Sequence, residues 1–160
     1  MAPKTFTVSL DGGVLERGFW LYVWEVTSPD GRTLVYVGRT GDSSSANAQS
    51  PFARMGQHLG SARNSSMLRN HLGDHQVDPE RCTFRLIAHG PILPEATGIE
   101  AHKESRDVIA AMEKKLAEDL KSAGYEVMNH VACHKPLDHD LYAAVRAAFA
   151  AELVNRGDRI

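Results

Sequence analysis

The side chain whose position most demands chemistry is Glu113. From Lys103 to Ala123 the apolar residues Ile109, Met112, Leu116 and Leu120 recur at helical spacing, and Gly124 closes the pattern. Glu113 stands four residues after Ile109 and three before Leu116, so at 3.6 residues per turn it points into that stripe. A carboxylate placed there asks for a cation, either an arginine or a metal ion. Arg54 and His58, four residues apart, project together from one face of an earlier helix. They join a permanent cation to a group that titrates near neutrality. Tyr22 and Tyr36 add phenols, which become bases only when cations lower a pKa that is normally about 10. Taken singly, each has a plainer reading: a structural ion pair, a solvated helix face, ordinary strand aromatics.

The stretch that must position them is Leu34-Val35-Tyr36-Val37-Gly38-Arg39-Thr40, a short strand preceded by another, Trp20 to Val26. Between them lies Pro29-Asp30-Gly31, where proline pre-sets the turn and glycine takes the positive-φ position. With those three residues as the loop, Ser28 faces Arg32, Trp24 faces Tyr36 and Tyr22 faces Gly38. The two tyrosines then share a face as diagonal neighbours, roughly 7–8 Å apart, and the space in front of Tyr22 is expected to stay open. A loop of two or four residues would put them on opposite faces.

Along the rest of the chain, residues 1–19 read as an N-terminal arm with a turn at Asp11-Gly12-Gly13 and room for a short edge strand. Thr40 to Gln49 is a polar loop. Ser50-Pro51 opens a helix with an N-cap and an N1 proline, and Phe52, Met55, Leu59 and Ala62 are its expected buried stripe. A second short helix over Ser65 to His71 is expected to turn Met67, Leu68 and Leu72 inward, and Gly73-Asp74 to end it in a turn. Cys82 to Ala88 is the third strand, broken after by Pro91 and Pro94. Residues 125–129 run extended and return Asn129 toward the sheet. Asp138 to Val154 forms a last helix with Leu141, Val145, Phe149 and Leu153 as its stripe, packed on the domain or on a partner subunit. His71 and His75 have a metal-compatible gap, but a zinc site there would lack its other ligands, and the spacing of His130, Cys133, His134 and His139 matches no common zinc site.

At 160 residues the chain can bury a full core. Two cysteines, no leader-like apolar run and no apolar stretch of membrane-spanning length point to the cytoplasm. The net charge of −2 does not advertise nucleic acid, but from Gly31 to Gly90 seven arginines face four acids, a surplus of three positive charges. Arginine's planar fork suits phosphate. Gly38, Arg39, Arg63 and Arg69 are the candidate phosphate contacts.

Two tyrosines on one hairpin, Arg54 and His58 on the next helix, Glu113 on a later one and Asn129 beyond it: this order resembles the GIY-YIG nuclease superfamily. Tyr36-Val37-Gly38 nearly repeats the second motif. Trp20-Leu21-Tyr22 stands for the first and keeps only its tyrosine. Arg54 and His58 look like the Arg-x-x-x-His variant of GIY-YIG restriction endonucleases, and Glu113 and Asn129 fall at the family's metal-binding glutamate and terminal asparagine. The match spans about residues 20–130, leaving 131–160 as a helical extension. The resemblance implies an α+β fold in which a small three-stranded antiparallel sheet is flanked by helices in the order ββα(α)βα. It implies hydrolysis of DNA phosphodiesters with Mg2+ (or Mn2+) held by Glu113, Tyr22 or His58 taking a proton from water, Arg54 and Arg39 stabilising the phosphate, and Tyr36 orienting it. Double-stranded DNA is then the partner, and a restriction-type homodimer would cut both strands. A structure-selective repair or toxin nuclease, a non-catalytic or regulatory nucleic-acid-binding module, and an interaction domain pairing through its last helix are the other readings.

Overall fold

A computed structural model describes residues 2–43 and 45–154. Strands β1 (Phe19–Thr27) and β2 (Thr33–Arg39) form the hairpin in the expected register, Trp24 opposite Tyr36 and Tyr22 opposite Gly38. The Ser28 amide donates to the Arg32 carbonyl at 2.9 Å, and Gly31 sits at φ +85°, a conformation glycine adopts without steric cost. Turn chemistry thus sets the register.

Strand β3 (Thr83–Leu93) pairs antiparallel on the other side of β1, and β4 (Glu126–Val127) pairs parallel with β2. The sheet therefore has four strands in the order β3-β1-β2-β4 and is mixed, where three antiparallel strands were expected. Two residues are too few to show a period of two. The chain joins the sheet because it runs past the open edge of β2, where the Met128 amide donates to the Val35 carbonyl at 2.8 Å. β3 also runs past Pro91 instead of stopping before it, with a bulge opposite Phe19–Leu21. It is an edge strand, so a missing N–H need not cost a ladder bond.

Both faces of the hairpin are covered. Phe19, Leu21, Val23, Val35 and Val37 share one core with Ile109, Met112, Leu116 and Leu120 of α3 (Ile99–Ser122) and with Val145, Phe149 and Leu153 of α4 (His139–Val154). Tyr22, Trp24, Val26, Leu34 and Tyr36 face the second core with Leu68 and Leu72 of α2 (Met67–Asp74), and Met55 of α1 (Pro51–Leu59) packs against it. Each large apolar side chain buried there contributes about 1.5–3 kcal/mol. The α4 stripe packs on this same chain. The two cysteines are free. Among the described residues, no helix is long and apolar enough to cross a membrane.

Two expected stripes hold only in part: Met55 and Leu59 of α1 and Leu68 and Leu72 of α2 pack inward as expected. On α1, Phe52 is exposed and Ala62 lies beyond the helix, while His58 is buried and Arg54 half-buried. The face carrying Arg54 and His58 turns inward because it meets tyrosines and a carboxylate that need partners. Met67 likewise faces outward at the start of α2, and the helix continues through Gly73 and Asp74. In place of an edge strand, residues 12–15 form a 3-10 turn capped by the Asp11 carboxylate.

Candidate active site

Tyr22 and Tyr36 come from the same face of the hairpin, and α1 delivers His58 to both. The Tyr22 hydroxyl lies 2.6 Å from His58 Nε2 and 3.3 Å from the Arg39 carbonyl oxygen. The His58 ring meets the two phenol rings edge-on, with centroids 5.6 and 5.1 Å apart. His71 of α2 also contacts Tyr36, at 5.7 Å. Gly38 is required at its position because a β-carbon there would overlap the Tyr22 ring. The space expected to stay open in front of Tyr22 is filled by that ring.

Arg54 donates from Nη2 to Asp42 at 3.0 Å and from Nη1 to Gln57 at 2.7 Å, leaving its buried Nε unpartnered among the described residues. Gln57 is held in turn by Gln49, at 3.1 Å. Ser50 caps α1 through the Ala53 amide, and that capped start fixes the rotation of the helix.

Glu113 finds an arginine. Its Oε2 accepts from Arg39 Nε at 2.8 Å, at the end of β2, and Arg39 Nη1 stays buried and unpartnered among the described residues. Arg39, expected on phosphate, is thus engaged with the carboxylate. Asn129 is engaged too: its Oδ1 accepts from the Val37 amide at 3.0 Å and its Nδ2 donates to the Val37 carbonyl at 2.7 Å. It pins the middle of the Tyr36-Val37-Gly38 segment, as a positioning residue. Arg63 and Arg69 stand outside this cluster, on the turn before α2 and on α2, where Arg69 pairs with Glu80 at 3.3 Å.

The electrostatics follow from burial. It pushes the Tyr22 phenol far up, against the nearby Arg54 guanidinium, and raises Tyr36 too, helped by the charge of Glu113. Burial, then Arg54, lowers His58 to about 4, so the imidazole is neutral at pH 7. A protonated phenol beside a neutral imidazole makes Tyr22 the donor and Nε2 the acceptor. Glu113 is pushed up to about 7 by burial even with Arg39 against it. Its charge reaches both phenols.

Comparison with family models, curated proteins and solved structures yields no match to this chain.

A metal ion fits here in one form. Glu113 is a buried carboxylate with Arg39 on its Oε2, so its carboxylate is the group an ion would have to share with that arginine. Among the described residues no group of three or more His, Cys, Asp or Glu could hold a metal by itself. That leaves magnesium-type binding, in which one or two carboxylates hold the ion while water and phosphate oxygens complete the shell. Zinc, which wants three or four protein ligands, does not fit.

Of the residues that sequence reasoning singled out, the structure brings His58 against Tyr22 and Tyr36, whereas Glu113 comes from α3 and pairs with Arg39. Sequence reasoning missed Asp42 and Gln57, and read His71 only beside His75, not as a neighbour of Tyr36. Gln57 had a signal, three residues after Arg54 on one helix. Asp42 had none, because its place depends on the path of the loop after Gly41.

Proposed function

We propose that this chain is a GIY-YIG-type endonuclease that hydrolyses DNA phosphodiesters with a divalent cation. The observation that carries the reading is the 2.6 Å contact between Tyr22 and His58 Nε2, with Arg54 and Glu113 in electrostatic reach of the phenol. A phenol that already donates a hydrogen bond to a neutral imidazole can take a proton from water while passing its own to Nε2. This joins the two candidate bases into one relay: Tyr22 receives, His58 stores. Each transfer moves one proton and leaves Tyr22 unchanged. The resulting imidazolium lies beside Arg54, so it is favoured only when the negative charge of an attacked phosphate is present to face both. That coupling makes proton transfer conditional on bound substrate.

Arg54 keeps one unpartnered buried nitrogen for phosphate, and Tyr36 adds a hydroxyl. Glu113 is the residue to hold the ion, which when bound supplies Lewis-acid stabilisation of the phosphate and leaving oxygen. Arg39 then has to yield Oε2, and a phosphate oxygen is a suitable new partner for its fork.

Plasmid nicking with magnesium and with EDTA, wild type beside Glu113→Ala, tests the reading. We expect nicking that needs the ion and vanishes in the variant. Equal cutting by both proteins would remove Glu113 from the mechanism. The Arg39–Glu113 pair favours a second reading, a nucleic-acid-binding module whose carboxylate is already neutralised. It would give a salt-dependent gel shift with no cut product.

A further inference from the structure

We propose that Asp42 is a built-in rival of the substrate phosphate. At rest its carboxylate occupies the edge of Arg54 on which the phosphate lands, and DNA binding turns it away; this rests on the nuclease reading above.

Arg54 is held on two sides that differ in kind. Nη1 donates to Gln57 Oε1 at 2.7 Å, and Gln57 is backed in turn by Gln49. Nη2 donates to Asp42 Oδ2 at 3.0 Å, while Nε is buried without a partner among the described residues. Nε and Nη2 lie on one edge of the planar guanidinium and form a fork that a carboxylate or phosphate can fill with two oxygens. Asp42 fills one prong. A phosphate has oxygens for both, so it suits an edge that the resting protein leaves half used.

Little else keeps the carboxylate in place. The bond to Arg54 is the one side-chain hydrogen bond that Asp42 makes among the described residues, and its side chain is 39% exposed. The Arg39–Glu113 pair is far more enclosed, at 17% and 13%. Opening the Asp42 pair therefore carries the smaller penalty. Gln57 stays on Nη1 when that happens, so Arg54 keeps its position.

Charge leads to the same residue. Arg39 and Arg54 bring two positive charges to the cluster, and Asp42 and Glu113 bring two negative ones, so at rest it offers an anion no surplus. The charge of Asp42 also reaches Tyr36, His58 and Glu113, the groups that a bound phosphate would face. Turning this one side chain to solvent uncovers a positive charge where the phosphate arrives.

Asp42→Asn tests the rivalry by removing the charge at nearly constant size. Asp140→Asn is the control: it makes the same change in net charge on α4, which packs on the sheet face opposite the tyrosines. Anisotropy of a labelled DNA duplex in EDTA is followed across a salt series for both variants and wild type. Plasmid nicking with magnesium at limiting DNA, and thermal melting, run in parallel. Asp42→Asn should bind several-fold tighter than either other protein, with a salt slope steeper by about 0.9, one more phosphate contact. It should also nick faster while DNA is limiting, with a Tm close to that of wild type. A carboxylate that only positions Arg54 would give weaker binding and slower nicking, which overturns the proposal. Asp42→Asn binding no tighter than Asp140→Asn, beside a wild type that nicks, would overturn the rivalry and leave the nuclease reading intact. Tighter binding by Asp42→Asn beside a wild type that never nicks would support the rivalry and overturn the nuclease reading. If neither wild type nor Asp42→Asn binds DNA, both are overturned.

Discussion

Asn129 makes a prediction whose size and pH dependence can be worked out in advance. Its carboxamide meets both polar groups of Val37, and only one orientation serves: oxygen toward the amide, nitrogen toward the carbonyl. Asn129→Ala removes both bonds and strands two buried backbone groups. At about 1–3 kcal/mol for each unsatisfied group, the loss is ~3 kcal/mol or somewhat more. For a domain of this size that is about 6–12 °C in Tm. Asn129→Asp is the sharper probe. One carboxylate oxygen can still accept from the amide, but the other then faces a carbonyl oxygen across a 2.7 Å gap. Protonation turns it into a donor and restores the pattern, so the carboxyl pKa in the folded state must rise above the ~3.9 of a free aspartate. A group whose folded pKa is raised binds its proton more tightly when folded. The deficit relative to wild type is therefore full at pH 8 and shrinks as pH falls through the raised value toward ~4. Melting curves of both proteins from pH 8 to 5, compared as a difference at each pH, read this directly. A variant as stable as wild type at pH 8, or a deficit that grows on acidification, would refute the bidentate clamp.

Further expectations concern other parts of the cluster and the sheet. Gly38→Ala forces a methyl into the Tyr22 ring, at an overpacking cost of about 1–3 kcal/mol, and should abolish nicking out of proportion to that loss, because the displaced phenol leaves His58. For His58, folding holds the pKa near 4 against about 6.5 unfolded. Wild type should lose stability as pH falls from 6.5 to 4, and His58→Gln should lack that limb, a difference of ~3 kcal/mol by pH 4 in denaturant titrations. Arg85→Ala removes the 2.7 Å partner of Glu25, a carboxylate only 3% exposed on β1, and should cost about 3 kcal/mol in urea unfolding. A loss under ~1 kcal/mol would mean that Glu25 finds solvent on its own.

Local chemistry made the hairpin legible: Pro29-Asp30-Gly31 dictates loop length, loop length dictates register, and register puts both phenols on one face. The helices were legible where a stripe was uniformly apolar, as on α3 and α4. They were misread where the neighbour was polar. α1 turned its Arg54 and His58 face inward because burial follows the partner available, and periodicity alone does not reveal the partner. Glu113 was identified as a buried acid with two candidate counterions, and the structure supplies Arg39. The pairing of Glu25 with Arg85 joins residues 60 apart in sequence through the β1–β3 register, which no local pattern encodes. The extended run over 125–129 was legible, but its pairing with β2 as a fourth strand was not, because two residues carry no pattern.

That short fourth strand has a kinetic consequence. The contacts of Asn129 with Val37 close a loop of 92 residues, whereas the hairpin closes almost at once. Loop-closure entropy must be overcome before such distant contacts form, so the clamp on the outer edge of β2 should be among the last features to appear during folding. Substitutions at Asn129 should then speed unfolding while leaving the refolding rate almost unchanged, with φ-values near zero. The phenols would be brought together early, and the strand that carries one of them would become rigid only when the chain's distant segment docks.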